Sequence, residues 1–165
     1  KAEDMMSQFF STHRGKYFEE FAPGQKIITA GRTITEADVV NFAGLSGDFN
    51  QIHTDAAYSE NSPVGQRIAH GLLVLSAVSG LANQTGLMDG TVIAFREIAE
   101  WKFSKYVFLG DTIHAELEVR ETKGLRRTGG GLVTIDVDVL NQTGDVVMKG
   151  VWKVLIASRL TENHS

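Results

Sequence analysis

Residues 71–82 read Gly-Leu-Leu-Val-Leu-Ser-Ala-Val-Ser-Gly-Leu-Ala, the longest apolar segment of the chain. Apolar side chains fall on every side of its helical projection, so we expect a helix that is buried nearly all round. The polar residues 83–86 should end this helix. The longest uncharged stretch, residues 71–88, is only marginally long for a membrane span and contains Ser76 and Ser79, which favours a buried helix over a transmembrane one.

From residue 91 onward, apolar residues recur with the two-residue period of a strand instead of the period of a helix. An earlier strand is also expected over residues 27–35. Apolar and polar residues alternate most cleanly at Ile113, Ala115, Leu117 and Val119 and again at Val133, Ile135, Val137 and Val139. This alternation predicts antiparallel strands, with turns at Lys123-Gly124, residues 129–131 and residues 143–145. The predicted fold class is α+β, with one long central helix packed on a meandering antiparallel sheet.

Shorter helices are predicted before the apolar segment. Thr35 followed by Asp38 is a capping-box pattern, which predicts a helix ending near Gly44–Gly47. A polar loop should then run over residues 47–55, with a short helix at 56–59.

The composition is typical of one soluble domain. The 165 residues are 42% hydrophobic and 22% charged, which is enough for a core without disulfide bonds. The absence of cysteine excludes disulfides, thiolate metal sites and a cysteine nucleophile. The net charge of −4, with no compensating cluster of Lys or Arg, argues against nucleic acid as a partner.

The domain organisation is expected to be simple. We predict a single domain over residues 17–159, an N-terminal extension over 1–16 that is partly disordered, and a C-terminal tail over 160–165. No apolar signal-peptide core is visible near the start, and no membrane span is predicted. We therefore expect a cytoplasmic protein with no membrane partner.

The polar loop contains the strongest candidate for chemistry. Asp48 and His53 lie close together in the sequence, with Asn50 between them. A carboxylate and an imidazole can converge on one water molecule and move its protons, so this pair suits general acid–base catalysis. The same residues suit an ordinary loop, in which Asp48 and Asn50 form Asx-turns and His53 caps a neighbouring group. On the pattern alone, the ordinary loop is favoured.

Gly71, at the start of the apolar helix, is a second candidate. Unpaired N–H groups and the positive helix end suit a carbonyl oxygen that gains negative charge, and glycine allows a ligand to approach the backbone. The alternative is tight packing where the chain turns into the helix. His70 could make a structural hydrogen bond or could act as a ligand, and the sequence does not favour one over the other. Ser79 suits a bond to a backbone carbonyl as well as a substrate contact.

Two other features of the sequence have ordinary explanations. His114 falls on the polar face of a predicted strand and is expected to be solvated. Gly129-Gly130-Gly131 leads into no helix, so a hairpin turn is favoured over a phosphate-binding loop.

Two stretches resemble the hydratase signature of the MaoC-like (R)-specific enoyl-CoA hydratases and dehydratases. They are residues 42–53, Phe-Ala-Gly-Leu-Ser-Gly-Asp-Phe-Asn-Gln-Ile-His, and residues 68–73, Ile-Ala-His-Gly-Leu-Leu, followed by Ser79-Gly80-Leu81. By element order the likeness extends from about Tyr17 to Arg159. The resemblance implies a hot-dog fold, in which a curved antiparallel sheet wraps a long central helix.

The resemblance also implies an activity, and it favours the catalytic interpretation of the polar loop. A lyase of this family, active in fatty acid metabolism, adds water reversibly to a trans-2-enoyl-CoA and gives the (R)-3-hydroxyacyl-CoA. Asp48 would be the main base, while His53 would orient the water and share in proton delivery. The backbone N–H of Gly71 would form the oxyanion hole, with Ser79 and Asn50 in support. No metal or redox cofactor is expected, because the thioester already activates the double bond.

Partners are likewise implied by the resemblance. The substrate handle would be CoA or the phosphopantetheine arm of an acyl carrier protein, and a homodimer or higher homo-oligomer is expected. Arg67 and Lys105 are candidates for contacts with phosphates, although solvated surface charges are favoured. Leu72, Leu75 and Val78 are candidates for an acyl tunnel, with core packing as the default.

One departure and two rival functions stay open. Gln51 stands where the family usually has proline, which would stiffen the loop. A hot-dog acyl-CoA thioesterase would hydrolyse the same class of substrate, but the Gly-Asp-x-Asn-x-x-His spacing of residues 47–53 fits the hydratases better. A non-catalytic acyl-CoA-binding module is disfavoured because both catalytic residue types are present. Dehydration of a branched or dicarboxylic 3-hydroxyacyl-CoA also remains open.

Overall fold

The computed structural model describes residues 15–159 and contains a six-stranded antiparallel sheet with one long helix. The strands are β1 (Lys26–Ile28), β2 (Arg32–Thr33), β3 (Val92–Phe103), β4 (Thr112–Leu125), β5 (Gly130–Leu140) and β6 (Val146–Ala157). The helices are α1 (Glu36–Ser46), α2 (Gln51–Thr54), α3 (Ala56–Glu60) and α4 (Gly71–Gln84), with 3-10 turns at Phe18–Glu20 and Arg126–Thr128. The strand order is β1-β4-β5-β6-β3, and β2 pairs with β4 beside this path.

The predicted α+β class, with a long helix on an antiparallel sheet, is confirmed. The expected extension over residues 1–16 and the tail over 160–165 lie outside the described residues, apart from residues 15 and 16. The domain boundaries therefore stay predictions.

The core lies between α4 and the inward face of the sheet. The helix contributes Leu73, Val74, Ala77, Val78, Leu81 and Ala82. The sheet contributes the predicted alternating residues of β4 and β5, such as Ile113, Leu117 and Ile135, together with Trp152 of β6. Each fully buried Val, Leu or Ile stabilises the fold by about 1.5–3 kcal/mol relative to exposure. This packing fixes where α4 begins.

The prediction that α4 is buried nearly all round is wrong. Leu72 is 62% exposed, and Ser76 and Ser79 are also exposed. The sheet covers only one side of the helix, whereas the apolar residues of its sequence extend further round. No helix within residues 15–159 is long and apolar enough to cross a membrane.

Two strand predictions also need correction. The single strand expected over residues 27–35 is divided into β1 and β2, because the Thr29 hydroxyl accepts the Ala115 N–H (2.9 Å) in place of a backbone carbonyl. The turn expected at Lys123-Gly124 is absent; both residues lie within β4, and the reversal comes at Gly129 (φ 67°). Gly131 opposes Gly124 and leaves room for the ring of Phe18.

Helix α1 has the predicted capping box. The Asp38 N–H donates to the Thr35 hydroxyl (3.2 Å), and the Thr35 N–H donates to the Asp38 carboxylate (2.9 Å). The helix ends at Gly47, whose left-handed conformation (φ 77°) suits glycine, and whose N–H donates to the Ala43 carbonyl (2.8 Å). Since Asp48 follows Gly47 directly, this terminus sets the position of the candidate carboxylate.

Candidate active site at the start of the central helix

Asp48 lies on an exposed loop immediately after α1. Its N–H donates to the Ser46 hydroxyl (3.2 Å), and its Oδ1 accepts the Asn50 N–H (3.2 Å). This is the Asx-turn that was the structural alternative for the loop. The turn occupies one carboxylate oxygen and leaves the other able to bind a water molecule, so the structural and chemical roles are compatible.

The polar loop predicted over residues 47–55 contains the short helix α2. Asn50 is its N-cap residue, with its side-chain oxygen accepting the Ile52 N–H (3.2 Å). The buried hydroxyl of Ser59, on α3, lies 3.3 Å from the carbonyl oxygens of Gln51 and Ile52. Asn50 thus has a local positioning role, and its expected support of the substrate stays a prediction.

His53 is presented by α2 with a defined tautomer. Its Nδ1 lies 2.8 Å from the carbonyl oxygen of Ile68, and the Ile68 N–H donates to the Ile52 carbonyl (3.2 Å). Because a carbonyl only accepts, Nδ1 carries the proton and Nε2 of the neutral ring keeps a lone pair. The imidazole is therefore oriented as a proton acceptor by the segment that leads into α4.

A third polar side chain, His70, joins the cluster. One polar atom from each of Asp48, His53 and His70 lies within 4.8 Å of the others. The two imidazoles stack, with centroids 3.8 Å apart and planes at 28°. Two imidazoles bound to one tetrahedral zinc ion diverge from the metal, so this stack fits a bound water better than a metal. The expectation of no cofactor stays a prediction.

The start of α4 opens onto an apolar cleft of about 490 Å³, which His53 and Gly71 both line. His70, the N-cap residue, makes no side-chain capping bond, so the first N–H groups of α4 remain available to a ligand. A Cβ on Gly71 would lie 2.6 Å from Cε1 of Phe103, which also lines the cleft. Tight packing at Gly71 is therefore present. No sequence pattern near Phe103 indicates a contact with Gly71, so this cleft residue becomes visible only in the folded chain.

Ser79 is not brought to Asp48 and His53 within this chain. It is exposed, and its hydroxyl donates to the Ser76 carbonyl (2.7 Å), which is the structural alternative considered for it. A helical rise of 1.5 Å per residue puts it about 12 Å from Gly71 along the axis. Its supporting role stays a prediction.

The three candidates for an acyl tunnel have different surroundings. Leu72 lines the cleft. Leu75 is half-buried against the core, and Val78 is fully buried within it. Core packing therefore accounts for Val78, and Leu72 is the member of the set that faces the cleft.

The two candidate phosphate ligands both form ion pairs. Arg67 makes two hydrogen bonds to the Glu36 carboxylate (2.8 and 2.5 Å), which lower the pKa of Glu36 and raise that of Arg67. Lys105 lines the cleft and pairs with Asp145 (2.7 Å), whose pKa is lowered by that contact. The Lys105–Asp145 pair is about half exposed, and the Arg67–Glu36 pair is open to solvent on its Glu36 side, so we expect little stabilisation from either.

An antiparallel sheet around one long helix defines a hot-dog domain, and a carboxylate and an imidazole lie together at the start of that helix. Residues 19–141 match the MaoC like domain family, and the chain belongs to this family. A Mycobacterium tuberculosis protein described as having a double hotdog fold superposes with a TM-score of 0.76, at 19% identity, over 92% of this chain and 46% of its own. That likeness bears on the fold alone, and the predicted hot-dog fold is confirmed.

Named proteins with similar sequences or structures are consistent with membership of this family. Protein MaoC of Klebsiella aerogenes is 43% identical over 102 residues, 62% of this chain, which spans only 30% of that relative's length. An (R)-specific enoyl-CoA hydratase of Rhodospirillum rubrum is 31% identical over 148 residues, covering 87% of this chain and 93% of its own. An R-hydratase of Pseudomonas aeruginosa superposes with a TM-score of 0.72, at 34% identity, over 86% of each chain. Hydratases and dehydratases are hydro-lyases, so the predicted enzyme class is confirmed at the level of the family.

Proposed function

We propose that this chain is an (R)-specific enoyl-CoA hydratase that also runs in reverse as a 3-hydroxyacyl-CoA dehydratase. The observation that carries this proposal is the meeting of Asp48 and His53 beside the start of α4, where His53 and Gly71 line one apolar cleft. A trans-2-enoyl thioester has an apolar chain, a polarised carbonyl and an electrophilic C3. The cleft would hold the apolar chain, the start of α4 would bind the carbonyl oxygen, and the acid–base pair would deliver water to C3.

The acid–base pair supplies the chemistry of hydration. A water molecule between the Asp48 carboxylate and the free Nε2 of His53 loses a proton to this pair as its oxygen bonds to C3. The electron pair of the C2=C3 bond moves toward the thioester oxygen, and a proton then returns to C2. The net result is the addition of H and OH across the double bond, with no other reactant.

The start of α4 supplies electrostatic stabilisation. In the transition state the thioester oxygen gains negative charge, and the Gly71 N–H lies at the positive end of a helix of 14 residues. Removing one donor from such an oxyanion hole typically costs about 3–4 kcal/mol of transition-state stabilisation. Gly71 is therefore assigned the role of oxyanion donor through its backbone.

The apolar cleft is assigned to the acyl chain and the arm that carries it. Leu72 and Met148 are among its lining residues, and Lys105 lies on the same lining. Lys105 is the better candidate for the phosphates of CoA or of a carrier-protein arm, because it lines this cleft and Arg67 is not among the lining residues.

We further propose a homodimer in which β3 pairs with a second copy. Strand β3 lies at one end of the sheet and is 12 residues long. Five of its apolar side chains are about half exposed, namely Val92, Ile93, Phe95, Ile98 and Phe103. A long apolar edge strand is a template for pairing, and the exposed side of α4 adds a second surface that a partner copy would cover.

The proposal is tested by incubating the purified protein with crotonyl-CoA while following the enoyl absorbance and free thiol together. Loss of absorbance without thiol release is the expected result. Thiol release would indicate the thioesterase, and binding with neither change would indicate a non-catalytic acyl-CoA-binding module. Either outcome contradicts the proposal.

A further inference from the structure

His70 contacts both members of the acid–base pair and is almost completely buried, with 2% of its surface exposed. We propose that His70 is a positioning residue. It holds the Asp48 loop and the His53 ring in fixed positions relative to the start of α4. This inference rests on the proposed function, because it names the residue that keeps the hydration site assembled.

The first contact holds the Asp48 loop. Nε2 of His70 lies 2.9 Å from the backbone carbonyl oxygen of Asp48. The carbonyl only accepts, so Nε2 carries the proton and donates. The Asp48 loop is otherwise exposed and held by turns of its own, so this bond ties it to the buried part of the molecule.

The second contact holds the His53 ring. The stack at 3.8 Å restricts the plane of His53 from one face, while the Ile68 carbonyl holds its Nδ1 at the edge. A ring that is fixed at both face and edge keeps its Nε2 lone pair in one direction. Displacement of a reacting group by about 1 Å can cost about 100-fold in rate.

The third link is covalent. His70 is the N-cap residue of α4, its carbonyl accepts the Val74 N–H (3.2 Å), and the next residue is Gly71. One residue therefore connects the carboxylate loop, the imidazole and the proposed oxyanion donor.

The surroundings of the ring argue against simple space filling. His70 also packs against Phe42, with centroids 5.1 Å apart, and its buried Nδ1 has no hydrogen-bond partner among the described residues. A buried polar atom without a partner destabilises the fold, because it has lost its hydrogen bonds to water. A phenylalanine would fill the same space without that cost, so the Nε2 donor is what histidine adds.

The test separates the two contacts with three variants. His70→Phe keeps the stack and loses the donor, His70→Gln keeps a donor and loses the ring, and His70→Ala loses both. We expect kcat for crotonyl-CoA to fall about tenfold in each of the first two and about 100-fold in the third, with KM within about threefold of wild type. His114→Gln, a half-buried histidine on β4, is the matched control and should leave kcat unchanged.

Nitrogen-15 NMR of the imidazoles gives a readout that does not depend on turnover. We expect His53 to carry its proton on Nδ1 in wild type and in His70→Phe, and to show a mixture of tautomers in His70→Gln. Circular dichroism establishes that each variant is folded. If wild type hydrates nothing while this tautomer pattern holds, the proposed function fails and the positioning role stands.

Three results would overturn the inference. One is a kcat within threefold of wild type in both His70→Phe and His70→Gln. Another is a loss expressed in KM alone, which would make His70 a substrate contact. The third is a loss of activity in proportion to the loss of folded protein, which would make its role purely structural.

Discussion

The ring of Phe103 lies against Gly71 so closely that a Cβ on the glycine would fall 2.6 Å from the Cε1 atom of the ring. Phe103 ends β3, and Gly71 begins α4. The edge of the sheet and the start of the central helix therefore meet at the cleft. The absence of a side chain at residue 71 lets the Phe103 ring lie against the helix start.

This contact makes Gly71→Ala informative. The added methyl group must displace the Phe103 ring or occupy the cleft, so we expect kcat/KM for crotonyl-CoA to fall by about 10–100-fold. The double variant Gly71→Ala with Phe103→Ala removes the steric conflict. Recovery to within about threefold of Phe103→Ala alone would assign the loss to the ring; no recovery would mean that the methyl group blocks the ligand itself.

The acid–base pair itself should be the most sensitive part of the site. We expect Asp48→Asn and His53→Ala each to lower kcat by about 10²–10⁴, the range typical of a general acid–base group. Ser79→Ala should cost much less, since Ser79 bonds to its own helix. Asp138→Asn, an exposed carboxylate on β5, is the control. Near-normal turnover in both active-site variants would remove this pair from the mechanism.

Gln51 offers a stability test in the same loop. It is the first residue of α2, a position where proline is favoured because its missing N–H is not needed by the helix. Gln51→Pro should therefore raise the free energy of unfolding by about 0.4–1 kcal/mol and preserve turnover. Chemical denaturation measures the change. Destabilisation would mean that the glutamine N–H or side chain is needed.

Helix α1 should show a pH-dependent contribution from its capping box. The hydrogen bond from the Thr35 N–H is the main cause that lowers the pKa of Asp38, with the Thr35 hydroxyl and Arg32 adding to it. A carboxyl whose pKa is lower in the folded state stabilises the fold above its unfolded pKa of about 3.9, and this stabilisation is lost as the pH falls through the folded pKa.

Asp38→Asn keeps an acceptor oxygen and removes the charge, so it should destabilise the protein by about 0.3–1 kcal/mol at pH 7. The gap between wild type and variant should close as the pH is lowered below the unfolded pKa of about 3.9 and through the lower folded pKa. Urea unfolding at several pH values measures it. A gap of constant size across this range would show that the charge of Asp38 is not responsible.

The proposed dimer can be tested at its edge strand. Ile98→Lys places a charge on the half-exposed apolar edge of β3, and each of two copies should lose about 1.4 kcal/mol, raising the dimer dissociation constant by about 100-fold. Ile28→Lys makes the same change on β1, where the side chain is 67% exposed. Light scattering should show dissociation for Ile98→Lys alone; equal behaviour of the two variants would rule out pairing through β3.

Local patterns predicted the elements that hold the site, and tertiary contacts decided the rest. The capping box of Thr35 and Asp38, the start of α4 at Gly71 and the alternation in β4 depend on neighbours in the sequence, and all three are confirmed. The stack of His53 on His70 and the packing of Phe103 on Gly71 join distant segments, and no periodicity encodes them.

The sequence leaves a role open where one residue suits both a structural and a chemical function. Asp48 and Asn50 do form the Asx-turn and the helix cap that the ordinary-loop interpretation required. The same contacts hold the carboxylate beside the imidazole. The exposed side of α4 is not predictable from its apolar sequence, because the same pattern suits a helix covered by a sheet and one covered by another chain.

The most direct test of the central claim is the configuration of the product that the wild-type protein forms from crotonyl-CoA in water. Chiral chromatography of the released acid after complete hydrolysis gives the answer. We expect a single enantiomer, because the water held between Asp48 and His53 would reach C3 from one face only. The relatives named (R)-specific enoyl-CoA hydratases lead us to expect that this product is (R)-3-hydroxybutyrate. The (S) product, a racemic mixture, or release of free thiol before the chemical hydrolysis step would contradict the assignment of this site.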